Sequence, residues 1–383
     1  MPKTFKKSAL SLNVAAALCA SLSFVATPAL SSYQYIQTSN TDFYEQQIVS
    51  SHADEREAGD LETYNNPNRN LSLYFWTASR TPKAIVHDAD LTAQNVSISS
   101  SYRDAVLILS EERNINISGN EISLSSEEDA VLTKGNGSVS FSNFKNLKFA
   151  PGFNRDSQNR PVTPHGTALK DEGAGISVLG TKESVVTFQT YENHPDPLLK
   201  ATSATGGIKI QAGKFWVPDS YKTIHPLNFA YVSDGATIEV EELDGYETTD
   251  TRNTESKIGG LITATKGGKF IGNFNSKRGH KNGGYTKIGR GSKDGLIATE
   301  GGTIEINLTG DYSQLIGSMR ASGEGSSITV NSTGQHVRVW DQDDYSPTYL
   351  AYITDKAKLN LNLQGFDTNT SGDIVLNKGA EFN

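Results

Sequence analysis

Apolar and polar residues alternate over most of this chain, and each alternating run is short. In residues 304–308 and again in residues 359–363, every second residue is Ile or Leu and the residues between them are polar. A period of two is typical of a β-strand that has one buried and one solvated side. Helical periodicity is almost absent. The pattern therefore predicts an all-β fold.

A strand–turn–strand phrase recurs ten times after the first hundred residues. Successive phrases start 19 to 44 residues apart, the range expected of a solenoid whose coils share strands and differ in loop length. A single coil cannot bury its apolar side, but stacked coils bury a continuous column. We therefore predict one elongated right-handed parallel β-helix over residues 104–383. The phrases start at Asp104, Asp129, Gly173, Gly206, Phe229, Gly259, Asp294, Ser313, Thr348 and Ser371.

Glycine-rich turns separate the two strands of many phrases. Examples are residues 267–268, 301–302 and 135–137. Glycine adopts a positive φ without a steric penalty. We therefore expect these glycines to supply the positive φ that tight corners between strands require.

Residues 1–31 have the features of a secretory signal peptide. The start is basic, residues 9–26 are rich in Ala, Leu and Val, and small residues follow at Ala29 and Ser31. We predict cleavage after Ser31 and export of the remaining chain. The single cysteine, Cys19, lies in this leader, so the mature chain has no disulfide framework.

Residues 32–103 are predicted to form an N-terminal cap and the first strands, and the part from Ser32 to about Pro82 lacks the repeat. The end of a β-helix exposes unpaired strand edges and a bare apolar column, which a covering segment can protect. The aromatic run at residues 74–76 favours a folded structure in the later part. For residues 32–68 the alternative is a partly disordered exported segment.

The repeated phrases resemble rungs of the pertactin-like and AIDA-like passenger domains of bacterial autotransporters. The resemblance covers residues 104–383, and GGLITATKGGKFIG from Gly259 and DGLIATEGGTIEI from Asp294 would be ordinary rungs there. It implies an adhesin or surface-interaction scaffold, displayed at the cell surface or outer membrane or released. An outer-membrane translocation barrel is also an expected partner, and it is missing from this sequence.

The last phrase stops at Asn383, in the middle of its second strand, which favours a fragment or an interrupted reading frame. A two-partner-secreted filamentous adhesin is an alternative, because that secretion route removes the need for a barrel in the same chain.

The candidate ligand-binding segment is a basic, glycine-rich loop predicted between Asn275 and Lys293. It contains six Lys or Arg residues and no acidic residue. Anionic glycans or lipopolysaccharide would suit it, with Tyr285 as a stacking platform, and a solvated flexible loop is the alternative. We expect the segment to be removable, because loop length has little effect on closure entropy. The candidate residues are Lys277, Arg278, Lys281, Tyr285, Lys287, Arg290 and Lys293.

The charge balance narrows the choice of partners. The chain has 35 basic and 43 acidic residues, and three of the lysines lie in the predicted leader. The net negative charge makes nucleic acid an unfavourable general partner, because the acidic surface repels the phosphates and nothing balances this repulsion over most of the surface. Host or neighbouring-cell surface glycans or proteins are therefore the expected partners.

No catalytic motif is found. The seven histidines are scattered, and neither an HExxH pair nor a GxSxG phrase occurs. We therefore expect no catalytic residues, no metal site and no cofactor. The enzymatic alternative is a polysaccharide hydrolase or lyase, in which Asp104 and Asp129, at the same phase of the repeat, would place two carboxylates close together.

Overall fold

The structure is a computed structural model, and it describes the chain in segments. The predicted leader and residues 37–63 of the predicted cap lie outside the described residues. The described residues are 32–36, 64–78, 84–100, 106–126, 129–150, 153–155, 161–164, 167–169, 175–188, 197–202, 206–217, 228–243, 256–275, 286–340 and 349–383.

Only β-strands and turns occur in these segments, so the predicted all-β class is confirmed. The first strands are β1 (Ser32–Ile36), β2 (Tyr64–Ala78), β3 (Ala84–His87), β4 (Leu91–Ser100), β5 (Val106–Ser110), β6 (Asn114–Ser118), β7 (Glu121–Ser125), β8 (Val131–Thr133), β9 (Ser138–Ser142), β10 (Asn146–Ala150) and β11 (Phe153–Arg155). The next are β12 (Pro161–Pro164), β13 (Thr167–Leu169), β14 (Gly175–Leu179), β15 (Val185–Phe188), β16 (Leu199–Ala201), β17 (Gly207–Ala212), β18 (Lys214–Trp216), β19 (Asn228–Val232), β20 (Thr237–Glu242), β21 (Ser256–Ile258) and β22 (Leu261–Ala264). The last are β23 (Lys269–Phe274), β24 (Thr286–Thr299), β25 (Thr303–Leu308), β26 (Ser313–Ser322), β27 (Ser327–Ser332), β28 (Val337–Trp340), β29 (Tyr349–Thr354), β30 (Lys358–Leu363), β31 (Asn369–Ser371), β32 (Asp373–Leu376) and β33 (Glu381–Phe382).

The strands stack as a parallel β-helix with three sides, which confirms the predicted solenoid. Apart from β1, β11 and β12, each strand pairs in parallel with the equivalent strand of a neighbouring coil. Strand β1 pairs antiparallel with β2, and β11 and β12 form a separate antiparallel pair. The long strands β4, β24 and β26 each bend from one side into the next. Sheet 1 contains β4, β7, β10, β15, β18, β21, the start of β24, the start of β26, β28 and β31. Sheet 2 contains β3, β5, β8, β13, β16, β19, β22, the ends of β24 and β26, β29 and β32. Sheet 3 contains β6, β9, β14, β17, β20, β23, β25, β27, β30 and β33.

A continuous apolar column fills the inside of the coils. In β20, Ile238 and Val240 are fully buried, whereas the residues beside them are half-exposed. The rings of Phe149 and Phe188 stack with their centroids 5.5 Å apart, and Phe188 meets Phe229 edge to face at the same distance. Full burial of each such ring contributes about 1.5–3 kcal/mol. The column therefore ties neighbouring coils together without a disulfide.

The corner between sheets 2 and 3 is tight, and where it carries two consecutive glycines, at residues 267–268 and 301–302, the two have different roles. The first glycine, as at Gly267 and Gly301, has a φ of 72° or 78°, as the sequence predicted. The second does not have a positive φ, which corrects that prediction. A Cβ atom at Gly268 would lie 2.5 Å from the carbonyl oxygen of Val232, and one at Gly302 would lie 2.2 Å from a backbone oxygen of the preceding coil. The second glycine therefore lets two coils approach each other.

Long connections are restricted to two of the three corners. From β3 onward, the described strands are joined between sheets 2 and 3 by five residues or fewer. From β3 onward, every connection longer than five residues lies at one of the two corners that flank sheet 1. Residues 151–166, 189–198, 217–227 and 341–348 lie between sheets 1 and 2, and residues 243–255 and 275–285 lie between sheets 3 and 1.

Candidate binding surface on sheet 1

The parallel register aligns one residue from each of eight strands of sheet 1. We call this alignment the outer row. Where the structure describes them, its side chains are exposed or half-exposed, while neighbours such as Leu147 and Phe149 are buried. Lys257 and Lys287 are placed by the register of their backbones. In order, the outer row is Lys148, Thr187, Trp216, Lys257, Lys287, Gln314, Arg338 and Asn369.

Basic residues dominate the charge of sheet 1. Its described strand segments contain one acidic residue, Glu121, near the N-terminal end of the stack. Acidic residues occur in the adjoining corner segments: Glu183 and Asp367 are among the described residues, and Asp341 lies outside them. For a protein with a formal net charge of −8, this is a local reversal of sign. The basic residues in the same strand segments are Lys148, Lys214, Lys257, Lys287 and Arg338.

Lys214 lies beside the outer row, at the corner with sheet 3. Burial lowers the pKa of its ammonium group, and the carboxylate of Glu242 acts in the opposite direction. Glu242 itself is buried and accepts a 3.1 Å hydrogen bond from the backbone N–H of Asn275. Lys214 therefore belongs partly to the packing of this corner, and Glu242 offsets part of its charge.

Two tryptophans lie on sheet 1. Trp216 belongs to the outer row and keeps 38% of its surface exposed. Two residues after Arg338, Trp340 presents its ring to the Arg338 guanidinium, whose central carbon is 5.9 Å from the ring centroid. This distance is within the range of a cation–π interaction, so the arginine is partly held in place by its own strand.

The predicted basic loop is shorter than the sequence indicated. Lys287, Arg290 and Lys293 belong to strand β24, so the predicted end of the loop at Lys293 is wrong. The start of β24 pairs with both β21 and β26, and Thr286 and Ile288 are fully buried. A high density of Lys and Gly concealed the alternation of these residues. The other predicted site residues, Lys277, Arg278, Lys281 and Tyr285, lie outside the described residues.

Sheet 3 has a different outer surface, in which polar side chains are paired with one another. Its described strands contain five acidic and three basic residues. Asparagines at equivalent positions form a ladder across four coils: Nδ2 of Asn307 donates to Asn273 at 2.7 Å, and the ladder continues through Asn331 and Asn362 at 2.7 and 2.8 Å. These contacts satisfy the polar groups within the coil. The surface of sheet 3 therefore has the character of a structural element.

The positions of carboxylates in the N-terminal coils bear on the enzymatic alternative, which is a polysaccharide hydrolase or lyase. Asp129 is only 3% exposed, so it is poorly placed to reach a polysaccharide, and Asp104 lies outside the described residues. Nε2 of the largely buried His87 lies 3.1 Å from Oε2 of Glu111 and 3.5 Å from Oδ2 of Asp88. In the part of the chain that the structure describes, no group of three or more His, Cys, Asp or Glu residues is arranged to hold a metal ion.

Comparisons with known proteins do not assign the chain to a family. No family model matches the chain, and no similar protein was found among curated proteins or solved structures. The described residues include no helix with the length and apolar character needed to cross a membrane.

Proposed function

We propose that this chain is an exported, non-enzymatic scaffold that acts at the cell surface or after release, in the manner of the autotransporter passengers that its repeats resemble. Its role is adhesion or surface interaction with glycans or proteins of a host or neighbouring cell. The single observation that carries the proposal is the position of the long connections from β3 onward, all of which flank sheet 1. In solenoid proteins, insertions concentrated on one side often mark the binding side.

Features of the sequence support the same proposal. The basic and apolar pattern of residues 1–31 is that of a secretory leader. The mature chain would contain no cysteine, and its coils are joined by packing and parallel hydrogen bonds instead. Translocation through an outer-membrane barrel, supplied by another part of the protein or by a separate chain, is the proposed route.

The test measures adhesion of the purified chain to immobilised host mucin. In separate variants, residues 189–196, 218–227 and 341–348 are each replaced by a short Gly-Asn turn, so that the buried Leu198 and Val217 are kept. Doubling or halving a loop changes its closure entropy by only about 0.6 kcal/mol, so the melting temperature should hardly change. Adhesion should fall in at least one variant and should be retained in a control with Ser327→Ala and Thr329→Ala on sheet 3.

Two results would contradict this proposal. Full adhesion by a folded variant with all three segments shortened would show that the insertions have no role in adhesion. Release of reducing ends from polygalacturonate or mucin glycans would favour the hydrolase or lyase alternative. We expect no such release.

A further inference from the structure

The outer row of sheet 1 points to a ligand class. We propose that this row is a tract for a linear anionic glycan, such as a sulfated or uronic acid polysaccharide, that lies along the axis of the β-helix. The inference rests on the proposed function of surface interaction and deepens it by naming the ligand and the residues. The observation behind this proposal is that basic residues and Trp216 lie in one line on a sheet whose described strands are almost free of acidic residues.

The register fixes the geometry of the tract. Trp216 pairs with Lys257, Lys257 pairs with Lys287, and Gln314 and Arg338 follow on the next two coils. Adjacent parallel strands are about 4.8 Å apart, so these five positions span about 19 Å on one line. An extended polymer could therefore contact all of them without bending.

The uncharged members of the outer row suit a sugar. Trp216 is 38% exposed and offers an amphipathic ring surface. Thr187 and Gln314 supply a hydroxyl group and an amide that donate and accept hydrogen bonds. A polymer that carries hydroxyl groups between its charges matches this mixture of one ring, polar uncharged groups and separated cations.

Charge density separates an anionic glycan from duplex DNA. B-form DNA carries one negative charge per about 1.7 Å of its axis. Adjacent coils are about 4.8 Å apart. Only four of the eight residues in the outer row are cationic. The rest of this acidic protein would repel a dense polyanion. The tract is therefore matched to an anionic polymer that is less densely charged than duplex DNA.

The test uses the full purified chain and heparin oligosaccharides as the probe, with dextran as the neutral control. One variant combines Lys148→Gln, Lys287→Gln and Arg338→Gln in the outer row. Its matched control combines Lys209→Gln, Lys269→Gln and Lys358→Gln on sheet 3, which removes the same number of charges. Affinity for heparin should fall about tenfold in the outer-row variant, as expected for the loss of three ion pairs with the glycan, and should change little in the control.

A second variant tests the role of the ring. Trp216→Ala should weaken heparin binding at high salt, where ionic contacts are screened, and Trp216→Phe should restore part of it. Equal losses in the outer-row variant and its sheet 3 control would overturn the proposal, as would equal affinity for dextran, tighter binding of duplex DNA, or no binding of heparin. Adhesion to mucin that depends on the insertions is a separate result, which the heparin measurements do not affect. Failure of the glycan tract can therefore be told apart from failure of the proposed function.

Discussion

Asn307 and Asn331 lie in register on neighbouring coils, and Nδ2 of Asn331 donates a 2.7 Å hydrogen bond to Oδ1 of Asn307. Asn331 also accepts a hydrogen bond of 2.8 Å from Asn362. Asn331→Ala interrupts the ladder and should lower the free energy of unfolding by about 0.5–1.5 kcal/mol. The measurement is the urea midpoint. Asn369→Ala, an exposed substitution on sheet 1, is the control and should change stability less.

Substitutions of the glycines at the tight corner between sheets 2 and 3 separate two reasons for a glycine there, the close approach of two coils and a positive φ. Gly302→Ala places a Cβ atom 2.2 Å from the carbonyl oxygen of Ala264, so the two coils must move apart. At Gly267 nothing lies within 4 Å, and the cost of Gly267→Ala comes from its φ of 72°, at about 1–2 kcal/mol. We expect Gly302→Ala to lower the thermal midpoint more than Gly267→Ala. The reverse order would show that conformation, rather than coil spacing, selects glycine at this corner.

Asp355 gives a pH-dependent prediction. A hydrogen bond from Lys378, at 3.1 Å, is the main cause that lowers the pKa of the Asp355 carboxyl group, and the Thr354 hydroxyl contributes. A lowered folded-state pKa contributes stability above the unfolded aspartate pKa, about 3.9. That contribution is lost as the pH falls through the lower folded value. The stability difference between the parent and Asp355→Asn should therefore shrink below about pH 4, the unperturbed aspartate range.

Urea midpoints measured across the acidic range test this prediction. Lys378→Met, which removes the main hydrogen-bond donor, should show the same convergence with the parent at low pH. Because both side chains are exposed at the surface, the change should be small. A difference that stays constant throughout acid titration would contradict the role of this pair.

The class of fold was accessible from the sequence because inward-facing residues alternate in every coil. Ile304 and Ile306 show this directly, and both are buried. The paired glycines also marked the tight corner correctly. Their separate roles could not be deduced, because the close approach at Gly302 involves the backbone of another coil.

The outer row was missed for a physical reason. Lys257 and Lys287 are adjacent in the sheet but are separated in sequence by residues 258–286, a whole coil that includes β22 and β23. Only the pairing of β21 with β24 brings them into one line. The same pairing explains the misplaced loop boundary: Thr286 and Ile288 face the core between basic residues, and the local composition outweighed this short alternation.

The central claim is that the coils stack in a register that forms the outer row, and one cross-linking measurement tests it most directly. In a chain with Cys19→Ser, the pair Lys287→Cys and Gln314→Cys lies on adjacent strands about 4.8 Å apart, within the Cα separation that a disulfide spans. The pair Lys287→Cys and Arg338→Cys lies two coils apart, at about twice that distance. Mild oxidation followed by non-reducing mass spectrometry should show a disulfide in the first pair and little in the second. Equal cross-linking of both pairs, or none in the first, would contradict the register and the tract built on it.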